Sequence, residues 1–466
     1  MHISDLNVKF AQRFVSILAR WRERIEERAV LARDGKFNFL FAVLGVVLVC
    51  PLSVAADLTL VDAQRLAIER SRQLAGQDAA VAADRDMAVS AAQNPDPVLR
   101  VGIENLPVNG ADQFSISQDF MTQRTIGVSQ EFTRGEKKRL RGEHYQREAD
   151  KVIAEKTAMA MIIRRDTAVA WLDRYYSEAS ATLIGEEIRQ AQGEIDAAQT
   201  NYRAGRGSQS DVLAARAALL GLQDRASEIA RKVRTAKIAL VRQVGEPGEL
   251  PLAEKPPIDH IPIDTGALEK HVAMHPEILV LEKQEELAAT DARLAEVNKQ
   301  SDWSVDLSYG QRGPQYSNMA SIGFSVPLQW DQVNRQDRDV AAKLAQAEQI
   351  RAQREEAMRA AIAEVRTMIA EWDNARERQT RLEHELVPLS TERSEAAVSA
   401  YRSGKASLSD VLVARRNEVD VRLQALQMEA EAARLWAQLN FHFVHKDAGL
   451  LTRQDDGRVA PEKDAK

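Results

Sequence analysis

The chain has 466 residues, a formal net charge of −6 and a mean hydropathy of −0.37. Charged side chains make up 28% and aromatics only 5%, a balance that suits long helices better than a compact α/β enzyme. The negative charge gives no reason to expect nucleic acid as a partner, and the single cysteine, Cys50, excludes an intrachain disulfide and a multi-thiolate metal site.

Residues 1–56 read as a leader and secretory signal peptide. Phe37 to Val54 is apolar, Arg33 and Lys36 precede it, and SVAAD follows at 53–57. A membrane anchor would need about 20 strongly apolar residues. Cleavage near Ala55 or Ala56 removes Cys50. A lipoprotein would keep it acylated, but Val49 before it and Pro51 after it fit that poorly. The rest of the chain holds no apolar run long enough for a membrane helix.

The first repeat, 57–245, opens on a helical pattern over Leu58 to Gln93, which Asn94-Pro95-Asp96-Pro97 ends. The period then becomes two. Leu99, Val101 and Ile103 alternate with Arg100, Gly102 and Glu104. Past a loop with Pro107 and Asn109-Gly110, Ile126, Val128, Gln130 and Phe132 alternate with Thr125, Gly127, Ser129 and Glu131. This predicts a β-hairpin with one apolar and one polar face. Phe114 to Phe120 either extends its second strand or belongs to the loop. Helix follows from about Glu136 to Thr200, ~98 Å long, with a thin apolar seam as in coiled coils. A further helix spans Gln209 to Val244, ~54 Å.

A proline-rich linker, 246–264, leads to a second repeat of the same plan, 265–445. Helix over Thr265 to Asn298 is interrupted at His275-Pro276. Trp303, Val305, Leu307 and Tyr309 alternate with Ser304, Asp306 and Ser308, Gly313-Pro314 turns the chain, and Ile322, Phe324, Val326 and Leu328 mark the fourth strand. Helix from about Val333 to Ala400 reaches ~100 Å, and another covers about Leu408 to Asn440. Residues 446–466 form a polar tail.

The two halves share one phrase. Tyr202 to Arg216 reads YRAGRGSQSDVLAAR and Tyr401 to Arg415 reads YRSGKASLSDVLVAR, identical at ten of fifteen positions and 199 residues apart. Gly205, Gly207 and Gly404 suit the positive φ of a helix end. Ser208, Ser210, Ser407 and Ser409 offer oxygens to the first amides of the next helix. Each copy is thus the tip of a helical hairpin, and the match marks an internal duplication.

Four strands cannot close a membrane barrel, for which about eight is the minimum. Other copies must complete it, so a homo-oligomer is expected, with lipid on the apolar face and water on the polar one. Phe132, Trp303, Tyr309 and Trp330 sit near strand ends, either as interfacial anchors or in cross-strand packing. The basic run Arg134 to Arg141 reads as a juxtamembrane anchor.

At these motifs the sequence resembles the TolC-like outer-membrane factor family of Gram-negative bacteria, from Leu58 to Val444. The resemblance rests on YRxGxxSxSDVLxAR written twice, on SQEFTRGEKKRLRGE at 129–143 and on the two-repeat plan. ENLPVNG at 104–110 and SQDFMTQRTIGVSQEF at 117–132 look most like the heavy-metal, CzcC-type branch. The resemblance implies a mainly α fold with a small β part. Three chains would share a 12-stranded outer-membrane barrel above a 12-helix periplasmic tunnel. The partners it implies are a periplasmic adaptor, an inner-membrane pump of the resistance-nodulation-division type and outer-membrane lipid. It also implies a passive conduit with no cofactor of its own.

Carried over by position, Tyr401 would bond Asp211 and Ser210 across neighbouring hairpins, and Asp410 would form a carboxylate ring at the constriction, attracting cations. Asp211 and Asp410 are equally read as stabilising the helix that follows each of them. Two positions depart from the family: Val413 stands where a second acid is expected, and Ala406 where an arginine is. The adaptor would meet the tip backbone at Gly205, Arg206, Gly207, Gly404 and Lys405. The paired histidines His271/His275 and His442/His445 lack a third ligand and read as structural. No phosphate loop, nucleophile elbow or HExxH is present. Two alternatives remain: a channel for drugs or organic solutes, and a non-conducting periplasmic coiled-coil scaffold. Against the scaffold stands an apolar β-hairpin in each repeat.

Overall fold

The computed structural model describes residues 57–263 and 265–441. The expected signal peptide with Cys50, the pair His442/His445 and the polar tail lie outside the described residues. Helix α1 (Leu60–Arg70) and helix α2 (Arg72–Ala91) replace the single helix expected over Leu58 to Gln93. Ser71 makes the break. Its backbone is extended, and its hydroxyl accepts the Leu74 N–H, so it ends one helix and caps the next. A serine can bond its own backbone in this way without disturbing the apolar period.

Strands β1 (Val98–Glu104) and β2 (Gln123–Phe132) form the first hairpin, and Phe114 to Phe120 belongs to the loop between them. Helix α3 (Gly135–Arg203) runs 69 residues, and α4 (Gln209–Val244) returns beside its lower half. The second half of the chain has a short α5 (Leu268–Ala273), then α6 (Pro276–Val297), β3 (Trp303–Gln311) and β4 (Met319–Ser325). The fourth strand stops at Ser325, short of the expected Leu328. The expected helix over Val333 to Ala400 is α7 (Gln336–Arg381), a π-turn (Leu382–Leu386) and α8 (Val387–Arg402). Pro388 supplies the cause: it has no N–H, and its ring would strike the carbonyl four residues back. A widened turn absorbs that conflict without ending the rod. Helix α9 (Leu408–Asn440) is the last element among the described residues.

Within the first repeat α2 and α1 lie against the upper half of α3, and α4 against the lower half. Val81 packs on Ala149 and Val152 above, Gln64 bonds the Arg164 carbonyl at 3.0 Å midway, and Ile229 meets Ile184 below. Together α1, α2 and α4 match the length of α3.

The four strands make one antiparallel sheet in the order β1-β2-β3-β4, leaving β1 and β4 as open edges. Its register aligns the apolar residues in rows. Val101 faces Ile126, which faces Tyr309; Leu99 faces Val128, then Leu307, then Ile322. All of them are exposed, Val101 at 74% and Ile322 at 65%.

The main core lies at mid-length, where the expected linker proves to be a belt. Leu58 bridges Leu252 in parallel, the Trp171 indole donates to the Leu58 carbonyl at 3.0 Å, and the Trp436 indole donates to the His260 carbonyl at 2.9 Å. The Arg174 guanidinium donates to the Gly248 carbonyl at 2.6 Å. Trp171, Leu172, Leu240 and Val272 are fully buried here.

Candidate functional site

The two hairpin tips form by the same local chemistry. At the end of α3, Gly205 takes φ +68°, its N–H donates to the Tyr202 carbonyl at 3.0 Å, and the Arg206 N–H donates to the Asn201 carbonyl at 2.9 Å. At the end of α8, Gly404 takes φ +74°, and the Gly404 and Lys405 amides donate to Tyr401 and Ala400 at 3.0 and 2.8 Å. Only a residue without Cβ occupies this region freely, so both glycines are fixed by the turn.

The next helix is capped reciprocally in each copy. The Asp211 N–H donates to the Ser208 hydroxyl at 3.2 Å, and the Asp211 carboxylate accepts the Ser208 N–H at 2.9 Å. Ser407 and Asp410 repeat this at 3.2 and 3.0 Å, and the Ser407 hydroxyl also donates to Asp410 at 2.8 Å. The Ser407 hydroxyl, and then its amide, hold the exposed Asp410 carboxyl below the usual carboxylate value. Both aspartates therefore stabilise the helix that follows. Both bonds that the Asp410 carboxylate accepts from Ser407 fall on Oδ2.

Tyr401 links the two hairpins within the chain, and its partner there is Asn201, whose amide donates to the Tyr401 hydroxyl at 3.1 Å. Asp211 and Ser210 bond to Ser208 in the same tip. Asn201 went unnoticed in the sequence because it stands one residue before the repeated phrase, where the second copy has Ala400. Beneath the tips Ile195, Ala198, Val212, Ala215, Leu408 and Val411 form a small apolar core joining the hairpins. Arg206, Gly205, Gly404 and Lys405 are exposed at the extremity, and Gly207 is half-buried. Val413 is exposed and Ala406 half-buried.

At the other end of the molecule, Phe132 and Trp303 stack across β2 and β3 with centroids 4.4 Å apart. Trp303 remains 41% exposed and Trp330 87% exposed, so cross-strand packing and a free aromatic surface coexist. The Lys137 ammonium meets Asp302 at 2.9 Å, both side chains largely buried, where the sheet passes into the helices. His275 caps α6 by accepting the Glu277 N–H. Among the described residues no group of three or more His, Cys, Asp or Glu is placed to hold a metal, and no helix is long and apolar enough to cross a membrane.

Residues 268–441 match the model of the outer membrane efflux protein family. No curated protein matches the sequence. Among solved structures, CusC superposes with a TM-score of 0.71 at 14% identity, over 84% of this chain and 93% of that one. The outer-membrane channel OprN gives 0.67 at 17%, over 83% and 90%. The Campylobacter jejuni CmeC outer membrane channel gives 0.68 at 13%, over 84% and 88%. The fold of this chain, mainly α with one four-stranded sheet, is the fold of these channels.

Proposed function

We propose, from the match of the second repeat to the outer membrane efflux protein family, that the chain is the outer-membrane channel of a tripartite efflux system. The observation that carries this reading is the sheet. It exposes a continuous apolar face, leaves both edges open and is continuous with two long helical hairpins. In water such a sheet is an aggregation hazard. In a bilayer its apolar face is solvated by lipid, and its edges close on further copies. Three copies make the barrel, and the hairpins continue it as a tunnel through the periplasm. The tips face an adaptor, and an inner-membrane pump of the resistance-nodulation-division type supplies energy.

Conduction is passive. The exposed Asp410 carboxylates, held ionised by their own caps, ring the narrow end and concentrate cations there. The hydrogen bond between Tyr401 and Asn201 joins the hairpins at the same level. The cargo we infer is a heavy-metal cation, on the resemblance of residues 104–110 and 117–132 to the heavy-metal branch.

Single-channel conductance of the purified protein in planar bilayers, titrated with divalent cations, tests the reading. Wild type should conduct and be blocked by the cations, and Asp410→Ala should weaken the block. Channels whose block is unchanged in Asp410→Ala would remove the aspartate ring. Absence of channels from folded, inserted oligomers, even after Tyr401→Phe, would favour the scaffold.

A further inference from the structure

About two to five helical turns from the tips, α3 of the first hairpin and α9 of the second run antiparallel and exchange charges at heptad spacing. Glu194 and Glu187 stand seven residues apart on α3. They face Arg415 and Arg422, also seven apart on α9: Arg415 Nε lies 3.5 Å from Glu194, and Arg422 Nη1 lies 3.1 Å from Glu187. A third carboxylate, Glu418, sits between the two arginines on α9. It is 3% exposed, bonds the Thr391 hydroxyl of α8 at 3.0 Å and accepts from Arg415 at 3.2 Å. Glu187 is 4% exposed.

The layer therefore holds three carboxylates and two guanidiniums. The neighbouring charges do not balance it. From α4, Arg225 pairs with Asp420 of α9, and Asp224 is exposed. Glu186 and Arg189 of α3, Glu392, Arg393 and Glu395 of α8, and Arg416 of α9 are all exposed to solvent. Beside the layer is a cavity of about 420 Å³ between the hairpins, lined by Glu187, Glu194 and Arg415 of the layer and also by Arg225, which is committed to Asp420, and the solvent-exposed Arg416. It gives water and protons a route to the carboxylates.

We propose that this layer is a proton-linked clasp between the two hairpins, fastened by uptake of a proton and loosened by its release. One surplus negative charge is tolerable where water reaches it and costly where it does not. A single proton makes the buried layer neutral. The direction of titration agrees: burial pushes the Glu187 and Glu194 carboxyls above the ordinary value despite the arginines beside them. Carboxyls raised in the packed state bind protons more tightly there than in the parted state, where they are solvated. Acid therefore favours joined hairpins, and ionisation as pH rises through the raised values favours parting. The clasp rests on reading this end as the gate only for its consequence, not for its existence.

Pulsed electron spin resonance distances between labels at Ala197→Cys on α3 and Ser399→Cys on α8, both exposed positions, test it. The background is Cys50→Ser, diluted with unlabelled chain. Between about pH 8 and about pH 5 the wild type should shift several-fold toward the short, narrow distance population. Glu187→Gln with Glu194→Gln, which imitates the protonated layer, should show that population at both pH values. Asp224→Asn, an exposed position outside the layer, should keep the wild-type response. A wild-type distribution that does not change with pH would overturn the clasp, whatever the fate of the variants. So would a glutamine pair that still responds as wild type does. Neither outcome bears on conduction, so the channel reading stands or falls separately.

Discussion

At the residue scale the tips show how little chemistry fixes a hairpin end: one glycine at positive φ and one serine–aspartate exchange. Because the aspartate is engaged by its own cap, its charge is first of all a structural group. Ser208→Ala or Ser407→Ala removes one capping acceptor and should cost about 1 kcal/mol of local helix stability. Hydrogen exchange in the first turn of α4 or α9 should accordingly rise about five-fold. The pH dependence has a definite sign. The Asp410 carboxyl lies below its ordinary value in the fold, so its contribution is present above the unfolded value and lost as pH falls through the lowered one. Exchange in the first turn of α9 should stay slow through mild acid and quicken only below the usual carboxylate range, and Asp410→Asn should abolish that step.

At the element scale, the hairpin halves were legible because their boundaries carry chemistry of their own. Ser208 and Ser407 mark the starts of α4 and α9, and Gly245 follows the last turn of α4, so the predicted 209–244 and 408–440 coincide with the helices observed. Where the boundary lacks such a sign, the reading failed. Ser71 breaks a helix through a backbone bond that leaves the apolar period intact. Pro388 lies inside a pattern too strong to end there, and the helix widens into a π-turn instead. The belt was illegible for another reason: the Trp171 and Trp436 indoles seek carbonyls of distant segments, a pairing that no spacing encodes. The strands were legible by alternation, but their register was not. That register assigns two faces with opposite tolerances. Val101→Lys, in the middle of the apolar face, should cost about 2–4 kcal/mol in a bilayer and deplete the protein from the outer-membrane fraction. Ser308→Lys, on the polar face, should leave that fraction unchanged.

At the scale of the whole molecule, one chain is visibly incomplete. Its sheet ends in two unpaired strands, and the proposed channel would pair β1 of one copy with β4 of the next. In a Cys50→Ser background, a cysteine at or near Val101 combined with one at or near Ile322 should form an interchain disulfide. Non-reducing gels should then show a closed covalent ring of three chains. Monomers alone across the whole set of such pairs would mean that the edges are satisfied in some other way. The tip contacts expected across neighbouring hairpins, Tyr401 with Asp211 and Ser210, belong to this scale as well. The isolated chain pairs Tyr401 with Asn201, and the ring decides which contacts are added.

The belt at mid-length makes each hairpin a lever. Trp171, Trp436 and the carbonyls they engage hold one end of the rods firmly, and below them α4 extends ~54 Å to a tip secured mainly by a small apolar patch and a few polar links. Over that arm a rotation of about 5° at the fulcrum carries the tip through about 5 Å. In the channel proposed above, an aperture ringed by such tips would be worked by sub-ångström slippage among side chains at the belt, and its mechanical gain would lie in the length of the helices.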